Sequence, residues 1–201
     1  ANTWIHYTKN DGLASNHVTW ITVQGNRVWF GSKENGASYF DKVSGKWKIY
    51  RQADFLADND VRDVTQDANG NLWMATIAGI SIYRPETSSW EVISREDGLT
   101  TPYIMSVHVE ESKTPLKETG AQQIWIATDR GLGSRSLNGG EWTFYAPPRS
   151  QIKGESFVRA FDMDEGILWL GTSSGPAMYD TATQTWSQLV TPESHPDTLV
   201  S

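Results

Sequence analysis

Tryptophan recurs along this chain at a nearly constant interval, and nothing else in the sequence limits the fold so tightly. One set is Trp4, Trp47, Trp90, Trp142 and Trp186, with gaps of 43, 43, 52 and 44 residues. A second set is Trp29, Trp73, Trp125 and Trp169, with gaps of 44, 52 and 44. Both sets stretch at the same place, so one insertion accounts for both. The second set sits in RVWFGSKENG (27–36), NLWMATIAGI (71–80), QIWIATDRGL (123–132) and ILWLGTSSGP (167–176). Each is a short β-prone run, a small residue with Ser or Thr, two variable residues (three in the first unit), and Gly. The first set reads WIHY (4–7), WKIY (47–50), WEVI (90–93), WTFY (142–145) and WSQL (186–189). Two further runs complete each unit: VTWITV, VRDVTQ, YIMSVHV and FVRAFDM before the second set, and ASYF, ISIY, LGSRSL and AMYD after it.

Each unit therefore holds four short strands. Turns such as DANGN (67–71) and KVSGK (42–46) supply the Gly and Asn that hairpins need. No segment shows a capped apolar stripe of helical period. A period of 40–50 residues with four strands is the signature of a β-propeller blade. One blade cannot cover both of its faces, so its neighbours must. The regular spacing marks all nine recurrent Trp as core. Trp20 is outside both sets and either faces the central channel or packs between blades.

The expected fold is all-β: a propeller of four-stranded antiparallel blades at about 18–50, 61–93, 103–145 and 157–190, with an extra outer strand at 4–7. The tail DTLVS (197–201) resembles DGLAS (11–15). With no Met at position 1, this reads as a piece of a longer propeller, half of an eight-blade ring made with a second copy, or a four-blade ring with one redundant strand. The first two are favoured, because an open half-ring exposes apolar faces and strand edges.

Composition excludes several function classes. No apolar run approaches the roughly 20 residues of a membrane-spanning helix. The 17 Lys and Arg against 24 Asp and Glu give a formal charge of −7, which argues against nucleic acid as a partner. Cysteine is absent, which removes disulfides, thiolate catalysis and Cys-ligated zinc. His6, His17, His108 and His195 share no metal-ligand spacing. There is no Gly-x-Ser-x-Gly elbow and no phosphate loop. The DANGN turn lacks the further acidic ligands of a calcium loop and reads as an Asx-stabilised hairpin. No cofactor, metal or catalytic residue is expected.

The phrases DGLASNHVTWI (11–21) and NRVWFGSKENGASYFD (26–41) resemble the two-component regulator propeller repeat, whose unit runs Gly-Leu-x-Ser-Asn-x-Val, Asp-x-Asn-Gly-x-Leu-Trp-x-Gly-Thr and Gly-Leu-x-x-Tyr. Blade two keeps DANGNLWMAT and GISIY but has FLADNDV for the first element. Blade three loses Ser-Asn to Thr101 and Pro102. Blade four has Pro176 in place of Leu. The resemblance implies an extracytoplasmic sensor module, periplasmic or extracellular, of a kind that precedes a membrane helix and histidine kinase and responds to glycans. The same repeats also occur in secreted and surface proteins without a kinase. The expected partners are a small-molecule or oligosaccharide ligand, and a homodimer mate or further blades. The alternatives are a structural or protein-interaction ring and, behind it, a propeller lyase.

In a propeller, the loops from outer strand to next inner strand share a face with the turns between second and third strands. Loops on a rigid scaffold often carry function. The candidate ligand-binding residues on that face are Asn16, His17, Asn59, Asp60, Tyr103 and Phe157 from the first kind of loop. The turns add Lys33, Glu34, Asp129, Arg130 and Ser173. Pro102, Ser156, Ile77 and Ser174 neighbour them. The 110–123 insertion in blade three falls on the opposite face, as a decorated hairpin or a docking loop.

Overall fold

The structure, a computed structural model, describes residues 4–110, 122–147, 158–173 and 175–188. Sixteen strands form four antiparallel sheets, each meandering in sequence order. The first holds β1 (Val18–Gln24), β2 (Arg27–Ser32), β3 (Gly36–Asp41) and β4 (Trp47–Tyr50). The second holds β5 (Val61–Gln66), β6 (Leu72–Thr76), β7 (Gly79–Arg84) and β8 (Ser89–Ile93). The third holds β9 (Ile104–Val109), β10 (Gln123–Thr128), β11 (Gly131–Ser136) and β12 (Thr143–Tyr145). The fourth holds β13 (Val158–Asp164), β14 (Ile167–Thr172), β15 (Gly175–Asp180) and β16 (Thr185–Gln188). First strands pack on first strands, β1 on β5, β5 on β9 and β9 on β13, so they line the axis. Among the described residues the extensive packing does not return from β13 to β1. Among the described residues this is an all-β propeller arc of four blades with no ring closure.

The turn between second and third strands is closed by one repeated device. Ser32, Thr76, Thr128 and Thr172 each donate a side-chain hydroxyl to the carbonyl of Gly36, Gly79, Gly131 or Gly175 across the turn. These glycines all have positive φ. A Cβ on Gly36 would sit 2.1 Å from the Tyr50 carbonyl oxygen, and one on Gly79 2.3 Å from that of Ile93. Backbone conformation and a close backbone approach therefore both demand glycine.

The DANGN turn is organised by the buried Asp67. One carboxylate oxygen accepts from the Asn69 and Asn71 amides, each at 2.9 Å. The other accepts from Asn71 Nδ2 at 2.8 Å and Trp73 Nε1 at 3.0 Å. Both oxygens are engaged by donors of the hairpin, which fits a turn rather than a cation loop. Gln24 holds Trp29 Nε1 at 3.1 Å, and Glu110 approaches Trp125 Nε1 at 3.5 Å. The turn thus fixes the rotamer of the Trp that covers the next blade.

The two Trp sets point to opposite neighbours. Trp29 packs onto Leu72, Met74 and Tyr83 of the following blade. Trp90 faces back into the same interface, where Trp29, Tyr50, Tyr83 and Trp90 have ring centroids 4.9 to 6.4 Å apart. Trp125, Tyr145, Tyr179 and Trp186 repeat that box between blades three and four. Trp20 packs between blades one and two, lying across Gly31, where an added Cβ would meet its indole at 1.9 Å.

Two recurrent Trp depart from the expected core. Exposure is 0% for Trp29, 2% for Trp73 and 5% for Trp125, but 44% for Trp169. The first three each lie under a following blade, and β14 has none over it among the described residues. Trp4 is 95% exposed, and residues 4–7 pair with no strand among the described residues, where the expected outer strand is absent. A fourth strand needs a third to pair with. Only Tyr7 of that segment is anchored, against Phe40 and Trp47.

Single turns of 3-10 helix at Gln52–Asp54 and Arg95–Asp97 lie in the loops between blades and escaped the periodicity analysis. Each ends on a left-handed residue: Phe55 at φ 87° and Gly98 at φ 96°. Phe55 is exposed, so its ring gains little. Left-handed backbone costs about 1–2 kcal/mol at a residue with a Cβ. Glycine returns about 0.4–1 kcal/mol through its freer unfolded chain. Phe55→Gly is expected to raise stability by about 0.5–1 kcal/mol, read from urea midpoints; an unchanged or lower midpoint would show that the loop carries no such strain.

Candidate functional site

All four inner strands carry a bulge at the same position. Pairing skips one residue between Val18 and Trp20, Val61 and Asp63, Ile104 and Ser106, and Val158 and Ala160. The skipped residues are Thr19, Arg62, Met105 and Arg159. A bulge leaves its extra residue unpaired and re-aims the side chain. Here the four side chains converge, with Lys33 and Asp60, on one hollow of about 280 Å3. It opens on the face named from the sequence.

Three bonds shape the hollow. Asp60 is buried, and its carboxylate pairs with Arg62 Nη2 at 3.1 Å. Arg62 Nη1 lies 3.2 Å from Met105 Sδ, and Arg62 Nε is buried without a hydrogen-bond partner. Thr19 Oγ1 donates to the Val61 carbonyl at 3.0 Å, tying blade one to blade two. Blade two is tied to blade three just beneath by Asp63, whose carboxylate accepts from Ser106 Oγ and, at 3.0 Å, from the Val107 amide.

Burial pushes the Asp63 carboxyl above 3.8, although the Ser106, Val107 and Val64 donors pull it back. The folded chain then binds this proton more tightly than the unfolded chain does. Its contribution to stability is full below 3.8 and is lost as pH rises through the folded value. Asp63→Asn removes that titration. The parent should lose stability relative to Asp63→Asn between about pH 4 and pH 7, measured by denaturant midpoints at both; a constant difference contradicts the assignment.

The sequence-named residues divide. Lys33 and Asp60 line the hollow. Asn16 and Asn59 are structural instead: Asn16 Oδ1 accepts from the Lys9 amide and Asn59 Oδ1 from the Gln52 amide, both at 2.8 Å. They hold each interblade loop in its turn, which explains the Ser-Asn element of the repeat. His17, Glu34, Tyr103, Arg130 and Ser173 are exposed on the same face but do not line the hollow. Asp129 is half-buried, with Oδ1 unpartnered. Phe157, Ser156, Ser174, His195, the tail and most of the 110–123 insertion lie outside the described residues.

Sequence reasoning missed Thr19, Arg62, Met105 and Arg159. The residue after the leading Val or Ile varies from blade to blade, but so does the next one, Trp20, Asp63, Ser106 and Ala160, so variation alone does not single it out.

Two other hollows open on the opposite face. One of about 180 Å3 between blades two and three includes Asn69, Arg84, Arg135 and Asn138. One of about 390 Å3 includes Thr65, Gln66, His108 and Gln122. His108 Nδ1 stands 3.9 Å from Asp162 Oδ1 across β9 and β13. Among the described residues no three His, Asp or Glu side chains converge as metal ligands would, and no helix is long and apolar enough to cross a membrane.

Four meandering blades with axial inner strands and a bulge-built hollow define the class: this is a β-propeller chain. Residues 56–78 match the two component regulator propeller family, so the chain carries that family's repeat at blade two. No curated protein matches it in sequence. Solved structures repeat the fold. The extracellular domain described as that of a hybrid two component system from B. thetaiotaomicron is 24% identical, over 92% of this chain and 24% of its own length, with a TM-score of 0.69. A second such domain from B. thetaiotaomicron is 18% identical over 85% of this chain and 22% of its own, also at 0.69. An ancestral GH74 enzyme is 17% identical over 92% and 25%, at 0.65. The chain thus spans about a quarter of the length of these propellers, and its likeness to them is one of fold.

Proposed function

We propose that this chain is a non-catalytic sensing module of an extracytoplasmic propeller, exposed to the periplasm or the exterior, which takes a small-molecule or oligosaccharide ligand on its channel face. The observation that carries the reading is the bulge repeated in all four inner strands. It places four side chains of three kinds, Thr19, Arg62, Met105 and Arg159, in one hollow. The regulator-type repeat at residues 56–78 and the extracellular sensor domains of similar fold support it. A thermal-shift screen of soluble oligosaccharides tests it. A ligand that raises the melting temperature of the 201-residue chain by several degrees, and fails to do so after substitution in the hollow, supports the reading. A screen without any stabilising ligand contradicts it.

A second reading, an assembling propeller, has its own observation. Trp169 on the last blade is 44% exposed, and Ile21 on the first is 62% exposed. Among the described residues nothing covers these two ends of the arc, and each matches a surface that an adjoining blade covers elsewhere. A further blade, or a second copy set head to tail, would bury both. Light scattering at rising concentration decides for the copy: a clean monomer throughout removes it.

A further inference from the structure

We propose that the channel-face hollow selects an acidic ligand, a sugar carrying a carboxylate or sulfate, gripped by Arg62 and Arg159. This rests on the sensing reading above and assigns its ligand class.

The charge of the hollow runs against that of the chain. Acidic residues outnumber basic ones 24 to 17 overall. Around the hollow the cations are Lys33, Arg62 and Arg159, and the one acid is Asp60. Asp60 does not satisfy them. It meets Arg62 through a single nitrogen, leaving Nη1 against a thioether sulfur, a weak acceptor, and Nε buried without a partner. Lys33 and Arg159 form no ion pair with a carboxylate among the described residues. A guanidinium with unmet donors at an open, solvent-reached hollow favours a planar or tetrahedral oxyanion, which it can bind through two parallel bonds.

The remaining lining fits a sugar. Met105 offers an adaptable apolar contact for a ring face. Thr19 already donates its hydroxyl proton to Val61 and keeps its acceptor lone pairs for a ligand hydroxyl. A volume of about 280 Å3 suits one or two sugar units. The bulges place Arg62 and Arg159 on inner strands two blades apart, so an acid group between them would bridge the arc.

The test is calorimetric titration of the 201-residue chain with digalacturonate, a galactose sulfate and digalactose. Binding of either acidic probe, weakening with added salt, and reduced about tenfold to a hundredfold by Arg62→Gln and by Arg159→Gln, supports the proposal. Arg84→Gln on the opposite face should leave it unchanged. Arg159 is exposed, so its variant keeps the test sound if Arg62→Gln misfolds; circular dichroism checks both. Equal binding of digalactose overturns the acidic assignment and leaves the sensing reading standing. Acidic binding that ignores both substitutions overturns the site. No binding by any probe, while the thermal-shift screen finds a neutral oligosaccharide that binds in the hollow, overturns the ligand class alone; no ligand in either experiment overturns the sensing reading with it.

Discussion

Trp29→Ala is expected to lower the stability of this chain by about 3–5 kcal/mol, and Trp169→Ala by less than about 1 kcal/mol. The two residues occupy the same position in their repeats, one in β2 and the other in β14. They differ in what lies over them. Trp29 is fully buried among Leu72, Met74, Tyr50, Tyr83 and Trp90, and its indole nitrogen is held by Gln24. Its removal leaves a cavity in an aromatic box and strips the Gln24 acceptor of its donor. Trp169 is nearly half exposed, so truncation removes little buried area. Chemical denaturation followed by circular dichroism, which does not depend on the Trp count, measures both. Similar losses at the two sites would mean that burial by a following blade is not what these Trp supply.

Asp67→Ala is expected to cost about 3 kcal/mol. The carboxylate takes four donors, two amides of its own hairpin, the Asn71 side chain and the Trp73 indole. Truncation leaves the buried Asn71 and Trp73 groups without their acceptor, and each unsatisfied buried donor costs about 1–3 kcal/mol. Asp67→Asn keeps one oxygen and sets an NH2 against donors on the other side, so it should fall between the parent and the alanine variant. Amide exchange then locates the effect. Protection should drop at Asn71 and along β6, and stay at parent level in β14. A uniform drop would contradict the local role given to this side chain.

The sequence showed the blades because the rules that make a blade are local and repeat. The Ser or Thr directly before a turn and the Gly after it close the same hairpin four times. The Asp of DANGN and the Trp six residues on are one hydrogen-bonded unit. What was illegible depends on neighbours distant in the chain. Trp125 and Trp169 look alike in sequence, yet among the described residues only Trp125 has a blade over it. WIHY has the composition of an outer strand but, among the described residues, no third strand to join. The candidate site was half legible for the same reason. Loop placement named the face on which the hollow opens, and with it Lys33 and Asp60 of its lining. It also offered Asn16 and Asn59, whose amide oxygens serve the backbone seven residues upstream. The residues that build the hollow sit at bulges, and a bulge is a relation between two strands. An alternation rule applied to one strand sends Arg62 and Arg159 to the wrong side.

The central claim is that tryptophan recurrence reports stacked blades, each of which shields the second-strand Trp of the blade before it. Hydroxyl-radical footprinting of the monomeric chain, with the oxidation of each Trp read by mass spectrometry, tests it without any substitution. Trp169 should oxidise several-fold faster than Trp29, Trp73 and Trp125, in line with its solvent exposure. Equal rates at all four positions would contradict the stacked arrangement.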